Sequence, residues 1–354
     1  MRLDKTKTVF VLGAGASADA GAPVMKDFLD RAYNLRRYTD FDVDRASFDI
    51  VFQAIHELRT VFANSLLDLR NVESVFASFE MAELFRSLGA LDQETVNKLS
   101  YSMRQLIVDT LEFSMMFEKN PQNTLVAPKP LRVFASLLGR LREKDHDVSV
   151  LTFNYDLGLD FALYRDQIPT WYALEPQGMG DRFPLLKLHG SLNWSRCPEC
   201  KTIEVVDFNK AETRDSDGSR VHMRLAGRCR EVHACHSGGR EVAIVPPTWN
   251  KTQHHQQIAE VWRTASKKLS EAENIIIIGY SLPPTDEFFR YLFALGTVGR
   301  AWLQRLMVFN PSNEVQLRFR GIFGPMARDR YEPFEGDKGY FVEAMHKIES
   351  VFLR

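Results

Sequence analysis

Five short stretches of the chain are apolar at nearly every position rather than at alternate ones: Thr8 to Leu12, Val148 to Phe153, Leu185 to Leu188, Asn274 to Ile278 and Leu306 to Phe309. Runs of this length and β-branched content suit strands covered on both faces, as in a parallel sheet. Each ends where a residue of chemical interest begins. That is the layout of a doubly wound α/β sheet, whose ligands sit at the carboxyl ends of the strands. Glu241 to Val245 reads as a further strand, stopped at once by Pro246 and Pro247.

Between Met25 and Arg142 the strand signal fades. Phe48 to Leu69 and Val72 to Leu88 carry apolar residues at three- and four-residue spacing, so 25–142 reads as a helical insertion. Pro121, Pro128 and Pro130 mark a loop, and Leu131 to Leu141 forms the helix leading back to the sheet. Residues 196–240 are polar and contain every cysteine, which marks a small separate module. Near the end, Phe341, Met345, Ile348 and Phe352 share one helical face, the pattern of core packing. The expected fold is thus a single α/β domain over 1–354, doubly wound and mostly parallel in the Rossmann-like manner. Its core is 1–24, 143–195 and 241–354, its helical insertion 25–142 and its cysteine module 196–240.

Bulk properties narrow the function classes without choosing one. Of 354 residues 45% are hydrophobic and 26% charged, which are globular values, and the net charge of -1 gives no field favouring nucleic acid. No apolar run approaches the ~20 residues that span a bilayer. The basic start with Arg2, Lys5 and Lys7 imitates a secretory signal, but the apolar stretch after it is too short and is broken by Gly13. Four cysteines confined to Cys197–Cys235 point to a cytoplasmic protein rather than a disulfide framework.

The first strand runs into Gly13-Ala14-Gly15-Ala16-Ser17, with a helix expected to open near Ser17. Backbone N–H groups and a helix N-terminus there would face an anion such as a pyrophosphate, and two glycines would allow close approach. A bare turn of this kind also serves as a ligand-free corner. It is not the dehydrogenase fingerprint, because the third glycine position falls on Ala18. Asn154, which ends a strand, offers both a donor and an acceptor, or is simply a turn residue. His189, after LLKL and before Gly190, projects at the same sheet edge as a proton acceptor or a structural histidine.

In combination these segments are specific. Gly13 to Pro23 matches the sirtuin pattern GAG-x-S-x-x-x-G-x-P, Thr152 to Asp156 resembles its T-Q-N-x-D, His189-Gly190 its histidine-glycine pair, and Gly279-Tyr280-Ser281 its G-T-S. FNYD, KLHGSLNW, VPPTWNK and GYSLPPTD are similar to the divergent bacterial branch of sirtuin-like proteins, many of which hydrolyse NAD in antiphage defence. The resemblance implies an NAD-binding fold with Asn154 and His189 catalytic. It implies NAD contacts at Gly13, Ala14, Gly15, Ala16, Ser17, Gly21, Pro23, Asp156, Gly190, Gly279, Ser281 and Asn310. It further implies a structural zinc on Cys197, Cys200, Cys229 and Cys235. The C-x2-C-x28-C-x5-C spacing is loose in its second half, so His233 or His236 stands as a substitute for Cys235.

Two departures matter for substrate. Pro23 is followed by Val24-Met25-Lys26 where deacylase sirtuins carry D-F-R. Ile244 to Lys251 also replaces the segment that pairs with an acyl-lysine peptide, with two prolines that cannot donate strand hydrogen bonds. The expected activity is therefore NAD hydrolysis to nicotinamide and ADP-ribose, linear or cyclised, by a triggered NAD-depleting effector. It would be restrained through a homo-oligomer or a separate sensor or ATPase partner, with no membrane or direct nucleic-acid partner supported. The alternatives are an NAD-dependent protein deacylase and a non-catalytic module sensing NAD or ADP-ribose.

Overall fold

The computed structural model describes residues 6–37, 43–59, 67–175, 178–215, 220–231, 235, 239–245, 258–283, 286–297 and 302–353. Its strands, in chain order, are β1 (Lys7–Leu12), β2 (Phe117–Lys119), β3 (Leu125–Val126), β4 (Asp147–Thr152), β5 (Thr170–Trp171), β6 (Phe183–Lys187) and β7 (Gly190–Arg196), then β8 (Ile203–Val205), β9 (Glu212–Asp215), β10 (Arg220–Arg224), β11 (Glu241–Ile244), β12 (Asn274–Ile278), β13 (Arg305–Phe309) and β14 (Tyr331–Phe334).

Seven of these form one sheet in the order β14-β13-β12-β1-β4-β6-β5. Every neighbouring pair in it is parallel. The central strands are the continuous apolar runs: all five residues of β12 and the last five of β1 are buried. The chain leaves β1 toward β4 and β6 on one side, then returns to lay down β12, β13 and β14 on the other. The order therefore reverses at β1, which opens a crevice at the carboxyl ends of β1 and its neighbours.

Helices cover both faces of a parallel sheet because each crossover needs one. The Lys129–Glu143 helix starts with Pro130 in its first turn, where a missing N–H is harmless. It packs Phe134 edge-on against Phe10 of β1 and against Phe341. The Phe341–Phe352 helix buries Phe341, Ala344, Met345 and Ile348, leaving Phe352 half-buried. In the region expected to be helical, Arg45–Leu58 and Val72–Phe85 are capped by Asp44 and Asn71, and Leu99–Ser114 lies buried beside them. The first of these ends at Leu58, short of the expected Leu69, because the chain turns at Arg59.

The expected strand at Glu241 exists as β11, but it does not join the main sheet. It pairs antiparallel with β7, through an irregularity between Val242 and Ile244, in a three-stranded sheet β11-β7-β8. Pro246 to Lys251 lie outside the described residues, as do His233 and His236. A four-stranded sheet, β3-β2-β10-β9, joins residues 117–126 to residues 212–224. Glu112 of the Leu99–Ser114 helix reinforces that junction by accepting from the Leu225 and Ala226 N–H groups, each at 2.7 Å. Among the described residues, no helix is long and apolar enough to cross a membrane.

Candidate active site

A cavity of about 780 Å3 lies at the carboxyl ends of the parallel strands, lined by the loops after β1, β4, β6, β12 and β13. Its other wall, from the helical region, is formed by the apolar Val72, Ile107 and Leu111 together with Glu73. Of the residues expected from sequence to contact a ligand, Ala14, Gly15, Pro23, Asn154, Asp156, His189, Gly279, Ser281 and Asn310 line this cavity. Gly13, Ala16, Ser17, Gly21 and Gly190 are not among its lining residues.

The turn after β1 differs from the expected helix opening at Ser17. It is two successive 3-10 turns, Ala14–Ala16 and Ala18–Ala20, ended by Gly21 in the left-handed region at φ 93°. Bonds of the i to i+3 type cause this: Ala16 N–H donates to Gly13 O and Ser17 N–H to Ala14 O. Gly13 and Gly15 N–H donate across to Ile278 O and Gly279 O. Four of the five N–H groups expected to cradle an anion are thus engaged within the protein, and no long helix adds its dipole there. Ala14, whose N–H is not engaged in this way, lines the cavity.

Glycine is required here for close approach between two backbones. Gly13 has φ -115°, which any residue adopts, but a Cβ on it would lie 2.4 Å from Tyr280 Cα. Gly279, at φ +64°, would place a Cβ 2.3 Å from Ala16 N. Gly279→Ala is expected to destabilise the fold by about 2 kcal/mol or more, read as a lower denaturant midpoint at unchanged slope. An unchanged midpoint would mean that the two loops separate freely.

Asn154 is held by its own amide. Nδ2 donates to Gly13 O at 3.0 Å and to Ser17 Oγ at 3.1 Å, so the carbonyl Oδ1 is the acceptor left for a ligand. The carboxylate of Asp156 accepts from Gly158 N–H at 3.0 Å. Burial pushes the Asp156 carboxyl up, and the nearby Lys187 charge opposes that. Gly13 and Ser17 therefore brace Asn154.

His189 is 8% exposed. The edge of its ring meets Phe153 at 5.0 Å between centroids, and Tyr155 lies 6.0 Å away. Its backbone carbonyl accepts from Val245 N–H at 2.7 Å, and Tyr155 OH donates to Val245 O, so β11 and the loops after β4 and β6 are tied together. His189 Nε2 stands 3.9 Å from Asp286 Oδ2, and that oxygen accepts from Tyr280 OH at 2.7 Å.

Beneath this, Lys187 is a fully buried lysine. Its Nζ donates to Asp160 Oδ2 at 2.9 Å and to the carbonyl of Asp156 at 2.6 Å, while Tyr172 OH donates to Asp160 Oδ1 at 2.8 Å. The pair fixes the loop carrying Asn154 to the end of β6, which His189 follows.

Asn310 borders the cavity, yet its side chain is engaged with the backbone: Oδ1 accepts from Ser312 N–H and Nδ2 donates to Tyr280 O. Ser281 is exposed there. Sequence reading did not single out Glu73, Asp286 or Arg318, all of which line the cavity. Glu73 looks like a first-turn helix acid and Asp286 like a helix cap, so neither carries a distinguishing signal in sequence.

In the cysteine region, Cys197, Cys200 and Cys235 place their sulfurs within 4.8 Å of one another, the Cys197 to Cys235 separation being 3.3 Å. A zinc bond of ~2.3 Å puts tetrahedral ligand sulfurs ~3.8 Å apart, so this donor set fits a zinc ion. A hydrogen bond with Thr202 pulls the Cys200 thiol down to about 6, whereas the contact with Cys197 pushes the Cys235 thiol up to about 11, so the cluster by itself shares a proton rather than presenting thiolates throughout. Cys229, expected as a fourth ligand, lies outside the cluster. It is buried, its Sγ contacts Leu192 O at 3.4 Å, and burial pushes its thiol up to about 12.

No family model matches this chain, and no curated protein matches it. Among solved structures it is similar to a Sir2 homologue in complex with NAD, at 15% identity over 99% of this chain and 91% of that one, with a TM-score of 0.38. It is similar to Sir2 in complex with an inhibitor, 2′-O-acetyl-ADP-ribose and a deacetylated p53 peptide, at 15% identity over 98% and 94%, TM-score 0.40. It is also similar to Sir2 bound to an acetylated peptide, at 17% identity over 98% and 93%, TM-score 0.36.

Proposed function

We propose that this protein cleaves the nicotinamide–ribose bond of NAD, giving nicotinamide and ADP-ribose. One observation carries the reading: Asn154, His189 and the Ala14-Gly15 turn, from loops after three adjacent strands, open on one cavity at the point where the strand order reverses. In the reaction the C1′–N bond breaks with its electron pair going to the nicotinamide nitrogen, which leaves as a neutral ring. The ribose carbon passes through an oxocarbenium-like state. The Oδ1 of Asn154 is fixed to hold a ribose hydroxyl or the incoming water and to face that positive charge. His189 takes the proton from the attacking oxygen. Ala14, Gly15, Gly279, Ser281 and Asn310 would border the adenosine diphosphate, with Lys26 and Arg318 the cations among the lining residues.

The test is nicotinamide release from NAD by the purified protein without any peptide. Release would support the hydrolase. Release only with an acylated peptide, together with O-acyl-ADP-ribose, would replace it with a deacylase; NAD binding without turnover, by the associated protein and by dissociated monomers alike, would replace it with a sensing module. Such an enzyme would drain its cell, so the reading includes restraint by self-association or by a partner. A monomer fully active alone would remove that part.

The cysteine cluster we read as a structural zinc site, which would fix the β7–β8 turn. Cys197→Ser or Cys235→Ser is expected to lower zinc content at least tenfold, whereas Cys229→Ser should leave it unchanged. Loss of metal from the Cys229 variant would put that residue back among the ligands.

A further inference from the structure

Asp286 occupies the N-cap position of the Glu287–Gly296 helix, where an aspartate ordinarily accepts from the first free N–H groups. Here it makes no such bond. The side chain turns inward, is 2% exposed, and meets Tyr280 OH at 2.7 Å and His189 Nε2 at 3.9 Å. Tyr280 is itself fixed: its ring stacks on Phe153 at 4.4 Å with planes 15° apart, and Phe289 meets it edge-on at 4.9 Å. Phe153 in turn bears on the His189 ring. A helix cap has been forgone for a carboxylate held by a tyrosine beside a histidine, all at the cavity wall.

We infer that Asp286 is a positioning residue for His189, its Tyr280-anchored carboxylate orienting the imidazole and stabilising the imidazolium formed when His189 accepts a proton. The inference rests on the NAD-cleaving reading for its consequence and on the geometry alone for the pairing. At 3.9 Å the contact is an ion pair once the ring is charged, longer than a hydrogen bond, and such contacts shorten as a substrate closes the site. The arrangement is that of a base oriented by a buried carboxylate. The charges that act with Asp286 on the Tyr155 and Tyr280 phenols are Glu73 of the Val72–Phe85 helix and, on Tyr280, Arg290 one turn beyond Asp286, while Asp19, Lys26, Asp156, Glu314 and Arg318 also line the cavity. Burial and the Asp286 charge hold the proton on Tyr280, so that phenol stays a donor. Glu73 remains in an Asp286 variant, and the difference between the two proteins therefore isolates Asp286.

The experiment uses Asp286→Asn, which keeps the shape and an acceptor for Tyr280 while removing the charge. An opposite charge favours the protonated ring, so its loss should let His189 titrate at lower pH. The expected result is a fall of about one unit or more in the midpoint of the His189 imidazole signal by NMR, assigned with His189→Gln. With NAD, kcat for nicotinamide release should fall at least tenfold with KM within about threefold, and the acid limb of the pH–rate profile should move down with the midpoint. Asp286→Glu should restore the midpoint and part of the rate. Asp286→Ser, a neutral residue suited to an N-cap, carries the same expectation as Asp286→Asn should that version not fold. An unmoved His189 titration overturns the pairing whatever the rates. A moved titration with unchanged kcat overturns the positioning role. A moved titration in a protein whose wild type releases no nicotinamide, whether associated or dissociated to monomers, upholds the pairing and overturns the NAD-cleaving reading instead.

Discussion

Asn154→Ala is expected to lower kcat for nicotinamide release by about 10²- to 10³-fold, the scale on which enzymes lose rate when one preorganised polar group at the reacting centre is removed. KM should change less, because in the proposed reading the diphosphate and adenosine would bind elsewhere in the cavity. The side chain's two donor bonds, to Gly13 O and Ser17 Oγ, are what preorganise it, since they prevent the acceptor oxygen from turning away. Asn154→Asp is a sharper comparison than its size suggests. An aspartate places a carboxylate oxygen against the Gly13 carbonyl, acceptor against acceptor, so this variant should lose rate and also loosen the β1 turn. His189→Ala is expected to cost a similar factor through loss of the base. The readout is nicotinamide formed at saturating NAD, with circular dichroism confirming that each variant is folded. A rate for Asn154→Ala within threefold of wild type would remove that side chain from the chemistry.

The central sheet was legible because its strands are buried on both faces, which writes an unbroken apolar run into the sequence. All five such runs are strands of it. The two edge strands were not legible, for a physical reason. β14 is Tyr-Glu-Pro-Phe and only half-buried, and a proline is tolerated there because β13 is its one described neighbour in the sheet. β5 has two residues, too few to show a period. β7 was hidden differently: its alternate residues Ser191, Asn193 and Ser195 are polar yet buried, so a strand enclosed by protein has the composition of a loop.

The site was legible where chemistry attaches to a strand end and illegible where it depends on folding. Asn154 and His189 follow apolar runs, and both line the cavity. The glycine turn was found for a reason the structure revises: its glycines permit close approach of the Gly279-Tyr280 backbone, and most of its N–H groups, expected to face an anion, are engaged inside the protein. Asp286 could not be read at all, because its partner is 97 positions away and a local role as a cap accounts for it fully. The 25–142 and 196–240 segments, distinct in composition, meet in the β3-β2-β10-β9 sheet, a pairing between segments that share no sequence signal.

The largest effect on stability is expected at Lys187. Its ammonium and the Asp160 carboxylate are 1% and 2% exposed, with 2.9 Å between them. Lys187→Met fills the same volume but leaves Asp160 charged, buried and with only Tyr172 OH and solvent-poor surroundings to answer it. Breaking a buried pair from one side in this way costs about 3–5 kcal/mol, a large part of the stability of an ordinary domain. Replacing both partners removes the uncompensated charge, so Lys187→Met with Asp160→Leu should recover most of that loss. Denaturant unfolding of the wild type, both single variants and the double variant closes the cycle. The recovered double variant should nevertheless release nicotinamide slowly. Lys187 also binds the carbonyl of Asp156, and without that bond the loop bearing Asn154 is no longer registered against the end of β6, which His189 follows. A double variant both stable and fully active would show that packing alone aligns the two loops, and that the buried pair contributes nothing to the site.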